Sequence, residues 1–142
     1  MKISEVMTPN VETVGPDQTA REAASFMLRA EAGSIPVCEG DRVIGMITDR
    51  DIAVRGVAEG RGPETLVREL MSDGIICARE DDDVDEVAQR MSDEQVRRLP
   101  VLDADDRLCG IVSLGDLARE AVGEQAHEAL EGVSQPGGQH QQ

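Results

Sequence analysis

Aromatic residues are almost absent from this chain, which has no Trp, no Tyr and a single Phe in 142 residues. Proteins that hold single-stranded nucleic acid stack bases on aromatic platforms, and none can be built here. Lysine is nearly missing too. Of 14 basic residues only Lys2 is a lysine, and 29 acidic residues bring the formal net charge to −15. Such a chain has no positive stripe with which to release counterions from a duplex, and it repels anionic membranes; the plain consequence of the charge is solubility. No stretch approaches the ~20 apolar residues of a membrane span. The N-terminus MKISEVMTPNVETV lacks a basic region followed by an apolar run. A cytoplasmic protein that contacts neither nucleic acid nor membrane is expected.

Cysteine and histidine are too few for several chemistries. Cys38, Cys77 and Cys109 are odd in number, widely spaced and outside any C-x-x-C pair, so neither a disulfide framework nor a thiolate zinc site is suggested. Reduced, half-buried strand residues are the simplest reading. The only histidines are His127 and His140, one late in the chain and one in its Gly/Gln-rich end, so no catalytic residue is assigned. The acidic run EDDDVDE at residues 80–86 imitates the start of a calcium loop. The glycine due next is Glu86 and the glutamate due at the twelfth position is Ser92, so no metal site is expected; an acidic helix start explains the run better.

What the chain does have is a repeated sentence. Residues 42–53, RVIGMITDRDIA, return as residues 107–118, RLCGIVSLGDLA. Met7, Glu22, Ala24, Met27, Pro36 and Val37 recur as Met71, Glu86, Ala88, Met91, Pro100 and Val101. One inserted residue then sets Arg42, Gly45, Asp51 and Ala53 against Arg107, Gly110, Asp116 and Ala118. Residues 1–64 form the first copy with its connecting segment and 65–131 the second, while the tail 132–142 reads as disordered from its Gly, Gln and Pro content.

Period and punctuation parse each copy in the same way. VETV and IICA fit short strands. Thr19 with Glu22 makes a capping box ahead of Ala20, Ala23, Ala24 and Met27 at helical spacing, with Gly33 just past the end; Asp83, Glu86, Val84, Val87, Ala88 and Met91 repeat the pattern. SIPVCEGDRVIGMIT and RLPVLDADDRLCGIVS each read as a hairpin, running into a second helix near Thr48 or Ser113. The order per copy is β-α-β-β-α, an α+β class.

That order, its duplication, and the stretches SIPVCEGDRVIGMITDRDIA and VRRLPVLDADDRLCGIVSLGDLA resemble the cystathionine β-synthase (CBS) domain family, as a stand-alone pair of the hypoxic response protein type. The resemblance covers about residues 3–120 and rests on a hydrophobic-Pro-Val strand start, an acidic turn and Gly-hydrophobic-x-Thr/Ser-x-x-Asp. It implies an α/β sandwich of two tandem repeats packed about a pseudo-twofold axis, and a homodimer. It further implies a regulatory module with adenosyl ligands such as AMP, ADP, ATP or S-adenosylmethionine in clefts between the repeats, acting on an unidentified regulated protein, with no cofactor required.

Thr48 at a helix start offers a hydroxyl beside free backbone N–H groups, which suits an anion, and Asp51 offers two acceptor oxygens to a vicinal diol. Ser113 and Asp116 repeat the pair, and in the family the Thr/Ser takes phosphate and the Asp ribose. A base would lie against Ile35 and Pro36 or Leu99 and Pro100. The resemblance adds main-chain contacts near Thr13 and Val14 or Cys77 and Ala78. Arg50, Arg97 and Arg98 are the cations that could draw an anion to so acidic a chain. Thr48-x-x-Asp51 and Ser113-x-x-Asp116 are equally capping boxes that need no ligand. An interaction scaffold without ligand therefore stands beside nucleotide sensing.

Overall fold

The computed structural model describes residues 1–120, without the side chain of Glu120. A 3-10 turn over Ile3–Glu5 leads to β1 (Thr8–Pro9), α1 (Ala20–Ala30), β2 (Ser34–Glu39) and β3 (Arg42–Thr48). Next come α2 (Asp49–Asp51), which continues as a π turn (Ile52–Gly56) and a 3-10 turn (Val57–Glu59), and α3 (Val67–Leu70). The second half holds β4 (Ala78–Arg79), α4 (Val84–Glu94), β5 (Arg98–Leu102), β6 (Leu108–Ser113) and α5 (Leu114–Glu120). The expected tail 132–142 lies outside the described residues.

Both long helices start where their caps predict. Thr19 Oγ1 accepts from Glu22 N at 3.2 Å while Glu22 Oε1 accepts from Thr19 N at 3.1 Å, and Ala20, Ala23 and Met27 turn inward. Asp83 Oδ2 caps α4 through Asp85 N at 3.0 Å. Glu86 does not return the bond; beside it Val84 N donates to Met1 O, and Lys2 bridges Asp83. The left-handed residue that ends α1 is Glu31, at φ 51°, not the expected Gly33; Gln95, at φ 53°, does the same for α4.

The hairpins form in matching register, β2 with β3 and β5 with β6, each with an irregularity at the same place, Val37/Cys38 and Val101/Leu102. The inserted residue lies in the second turn, where Asp103 Oδ1 gathers Asp105 N and Arg107 N and thereby holds its carboxyl below the usual range. The expected strand VETV reduces to one parallel bridge, Val14 to Val37. IICA reduces to β4, which pairs parallel with β5.

The described chain divides into two compact units whose make-up differs from the sequence repeat. One consists of residues 12–75; the other joins Met1–Val11 to the chain from Ile76 onward. Each unit is completed by the segment that precedes the other copy. In the second, β1 pairs antiparallel with β6, and Ile3 and Val6 enter a core with Val87, Met91, Val101, Val112 and Leu117. In the first, Ser72 exchanges hydrogen bonds with Met46 (3.0 and 2.9 Å), and Val67 and Leu70 enter a core with Val14, Val37 and Ile47. The acidic run serves this docking. Ile3 N donates to Asp82 O and Ser4 N to Glu80 O, and Lys2 Nζ lies 3.5 Å from Asp81.

Gly45 and Gly110 are what admit these segments. A Cβ on Gly45 would stand 2.5 Å from Ser72 O, and one on Gly110 2.6 Å from Met7 Sδ and 2.9 Å from Thr8 O. Close approach was expected within the repeat; it is made instead to the segment leading into the other copy.

Candidate nucleotide site

Thr48 closes β3 and opens α2. Its Oγ1 accepts from Asp51 N at 3.0 Å, and Asp51 Oδ2 accepts from Thr48 N at 2.9 Å. Ser113 and Asp116 reproduce the box, both bonds at 3.1 Å. In each unit the first helical N–H is tied to the residue ahead of the hairpin, Asp49 N to Gly33 O and Leu114 N to Arg97 O, both at 2.9 Å. The four residues expected to hold phosphate and ribose thus form two like constellations, one per unit, half-buried at the end of a pinned strand.

Other expected groups are placed less favourably. Ile35 and Leu99 are 3% and 2% exposed and belong to the cores, so their side chains do not line an open face against which a base could lie. Alternation puts Pro36 and Pro100 on the other strand faces, where both are buried. Val14 spends its N–H on Pro36 O and accepts from Cys38 N, leaving no main-chain donor for a ligand. Thr13, just before it, is half-buried. Cys77 O accepts from Arg90 Nη2 at 2.7 Å, and Ala78 is taken up by β4. Arg50 and Arg97 are exposed, and Arg98 stands opposite Ser113 in the β5–β6 register.

Two residues that sequence reasoning passed over bear on the site. Ser34 stands opposite Thr48, so both side chains project to one face of the hairpin. Its Oγ is buried without a hydrogen-bond partner. Arg119 Nη2 lies 2.6 Å from Asp116 Oδ1, a contact that the i,i+3 spacing could have revealed. Asp51 Oδ1 has no partner among the described residues.

Neither Cys77 nor Cys109 is set up as a nucleophile. Burial raises Cys77 above its ordinary value, and burial together with the Glu80 carboxylate, 3.5 Å from the sulfur, pushes Cys109 up to about 11. Among the described residues no group of three or more His, Cys, Asp or Glu is placed to hold a metal ion; His127 and His140 lie outside them.

Ile52, directly after Asp51, also lines a groove of about 390 Å³ with Ala24, Leu28 and Val57, Arg21 adding charge. Leu28 is 80% and Val57 72% exposed.

Comparison with known proteins gives the arrangement a context. A family model described as CBS domain matches residues 3–56 and again 67–123. The CBS domain-containing protein YhcV of Bacillus subtilis is 43% identical over 133 residues, covering 93% of this chain and 94% of that protein. A crystal structure of Hypoxic Response Protein I with two coordinated zinc ions is 35% identical, with a TM-score of 0.79, covering 86% of this chain and all of that one. The CBS domain pair of protein MJ0100, in complex with 5′-methylthioadenosine and S-adenosyl-L-methionine, is 28% identical, with a TM-score of 0.74, covering 84% and 94%.

Proposed function

We propose that this chain, which belongs to the CBS domain family, is a non-catalytic cytoplasmic regulatory module that binds an adenosyl nucleotide and signals as a homodimer. The observation that carries the reading is the first box. Asp51 keeps one carboxylate oxygen unpartnered among the described residues, and the buried Ser34 hydroxyl, also without a partner, projects from the same face as Thr48. A buried hydroxyl without a partner is costly, and a ligand oxygen that displaced the groups covering it would satisfy it. The adenosyl ligands bound to the MJ0100 pair support the same ligand class. Thr48, with Arg50 nearby, meets phosphate or another anionic group, and Asp51 meets the ribose diol.

Signalling has a physical route. Asp51 is followed at once by the π turn, whose Ile52 and Gly56 line the apolar groove, and Arg55 Nη1 fastens that turn to Leu70 O and Met71 O at 3.2 and 3.0 Å. A ligand on Asp51 that favours one arrangement of this turn changes the surface offered beside Leu28. A second copy is the occupant assigned to that surface. Its contact is apolar, with Leu28 and Val57 largely exposed and Arg21 in the lining to offset part of the repulsion between two acidic copies.

The test is dye-monitored melting with AMP, ATP and S-adenosylmethionine. A ligand at about a hundred times its dissociation constant adds roughly 2.7 kcal/mol, several degrees for a chain of this size. Asp51→Ala should melt slightly earlier without ligand, by the ~1 kcal/mol of a cap, and lose the first site's share of the ligand-induced rise. If no adenosyl ligand shifts the midpoint, the scaffold reading replaces this one. The second box favours that alternative, since both oxygens of Asp116 are already engaged.

A further inference from the structure

The two boxes differ at one atom. Asp51 Oδ1 has no partner among the described residues, whereas Asp116 Oδ1 receives Arg119 Nη2 at 2.6 Å. The difference is written in the sequence. Three positions past the aspartate the first copy has Val54 and the second has Arg119. Arg119 Nη1 also stands 3.6 Å from where a Cβ on Gly115 would lie, so the guanidinium folds back along the first turn of α5, over the counterpart of Arg50.

A vicinal diol is held by a carboxylate that accepts two hydrogen bonds. At Asp51 one oxygen caps the helix and the other is open. At Asp116 the second oxygen already accepts from a charged donor, so the diol must share it with Arg119 or displace it. Resting on the nucleotide reading above, we propose that Arg119 is a specificity-determining residue. It occupies the diol-accepting oxygen of Asp116, so that the second unit takes an adenosyl ribose more weakly than the first. The Arg119 side chain is 70% exposed, so the pair is a weak lock, about fivefold at most.

The experiment is calorimetric titration of the full chain with AMP and with 2′-deoxy-AMP. Asp51→Ala isolates the second site. Adding Arg119→Ala, or Arg119→Val to install the first copy's residue, should tighten AMP binding there by about threefold to fivefold. It should leave 2′-deoxy-AMP unchanged, since that nucleotide has no diol to gain. Unchanged AMP affinity in both double variants overturns the proposal. Weaker AMP binding overturns it in favour of a phosphate-contacting arginine. Equal binding at the two sites of the unmodified chain defeats this inference alone, whereas no AMP binding at all, with Asp51→Ala inert, defeats the nucleotide reading and this inference with it.

Discussion

Gly45→Ala should destabilise the chain more than any property of alanine suggests. The added Cβ would stand 2.5 Å from the Ser72 carbonyl oxygen and 3.1 Å from Met71 Sδ. Ordinary contact lies near 3.5 Å, so the Ser72 segment must retreat by about 1 Å. Its two bonds to Met46, now 3.0 and 2.9 Å, would then stretch to about 4 Å and cease to be hydrogen bonds. Two such bonds are worth roughly 1 kcal/mol each and the overpacking adds about 1–3 kcal/mol, while the stiffer unfolded chain returns about 0.4–1 kcal/mol. A net loss of about 2–4 kcal/mol remains, a fall of roughly 6–12 °C in Tm at this chain length. Gly62→Ala is the control, since nothing lies within 4 Å of a Cβ there. Thermal melting of both variants decides the matter. If Gly45→Ala melts within about 2 °C of the parent, the close approach is not what the glycine is for.

Raising the pH should weaken the fold through Cys109. Its folded value of about 11 lies above the ordinary thiol value of 9.0, so between these values the unfolded chain loses a proton that the folded chain keeps, and stability falls as pH rises. Urea melts at pH 8 and pH 10.5 should show the loss, and Glu80→Gln should shrink it by removing the carboxylate beside the thiol; an equal loss in both refutes the assignment. Leu28→Glu places a charge on a side chain that is 80% exposed and central to the proposed contact between copies. Sedimentation equilibrium should show dimer association weakened by more than about tenfold with the melting point nearly unchanged. A parent chain that is monomeric refutes that contact outright.

The helices and hairpins were legible because their signals are local. Thr19 and Asp83 mark starts within one turn, and Gly40 at φ 62° makes the first hairpin turn as its position suggests. What could not be read was which segment completes which core. Met7 and Met71 are visible as a repeated pair, yet nothing local shows that Met7 reaches Gly110 while Met71 reaches Gly45. The acidic run starts α4 as expected, but its second part was hidden for the same reason. Beyond its role at the start of α4, its carbonyls and carboxylates hold the first four residues. At the site, the caps were legible as Thr/Ser-x-x-Asp. The spent N–H of Val14 and the lone hydroxyl of Ser34 depend on strand register, which composition does not carry.

The repeated sentence can now be taken residue by residue as one device. Gly45 and Gly110 let a foreign segment come against the last strand, and Met46 and Ile111, next in line, are pinned by it, to Ser72 and Thr8. Ile47 and Val112 follow, fully buried, and fix the strand to its core. Only then come Thr48 and Ser113, whose hydroxyls start the helix, and Asp51 and Asp116, which close the box. A site that discriminates a diol from its absence needs its carboxylate held within a fraction of an ångström, and a cap at a frayed strand end would not hold it. The glycine six residues upstream is thus as much part of the proposed site as the aspartate. In the proposed site, capping and ligand recognition are not rival explanations of Asp51: Oδ2 does the first, and Oδ1, without a partner among the described residues, remains to do the second.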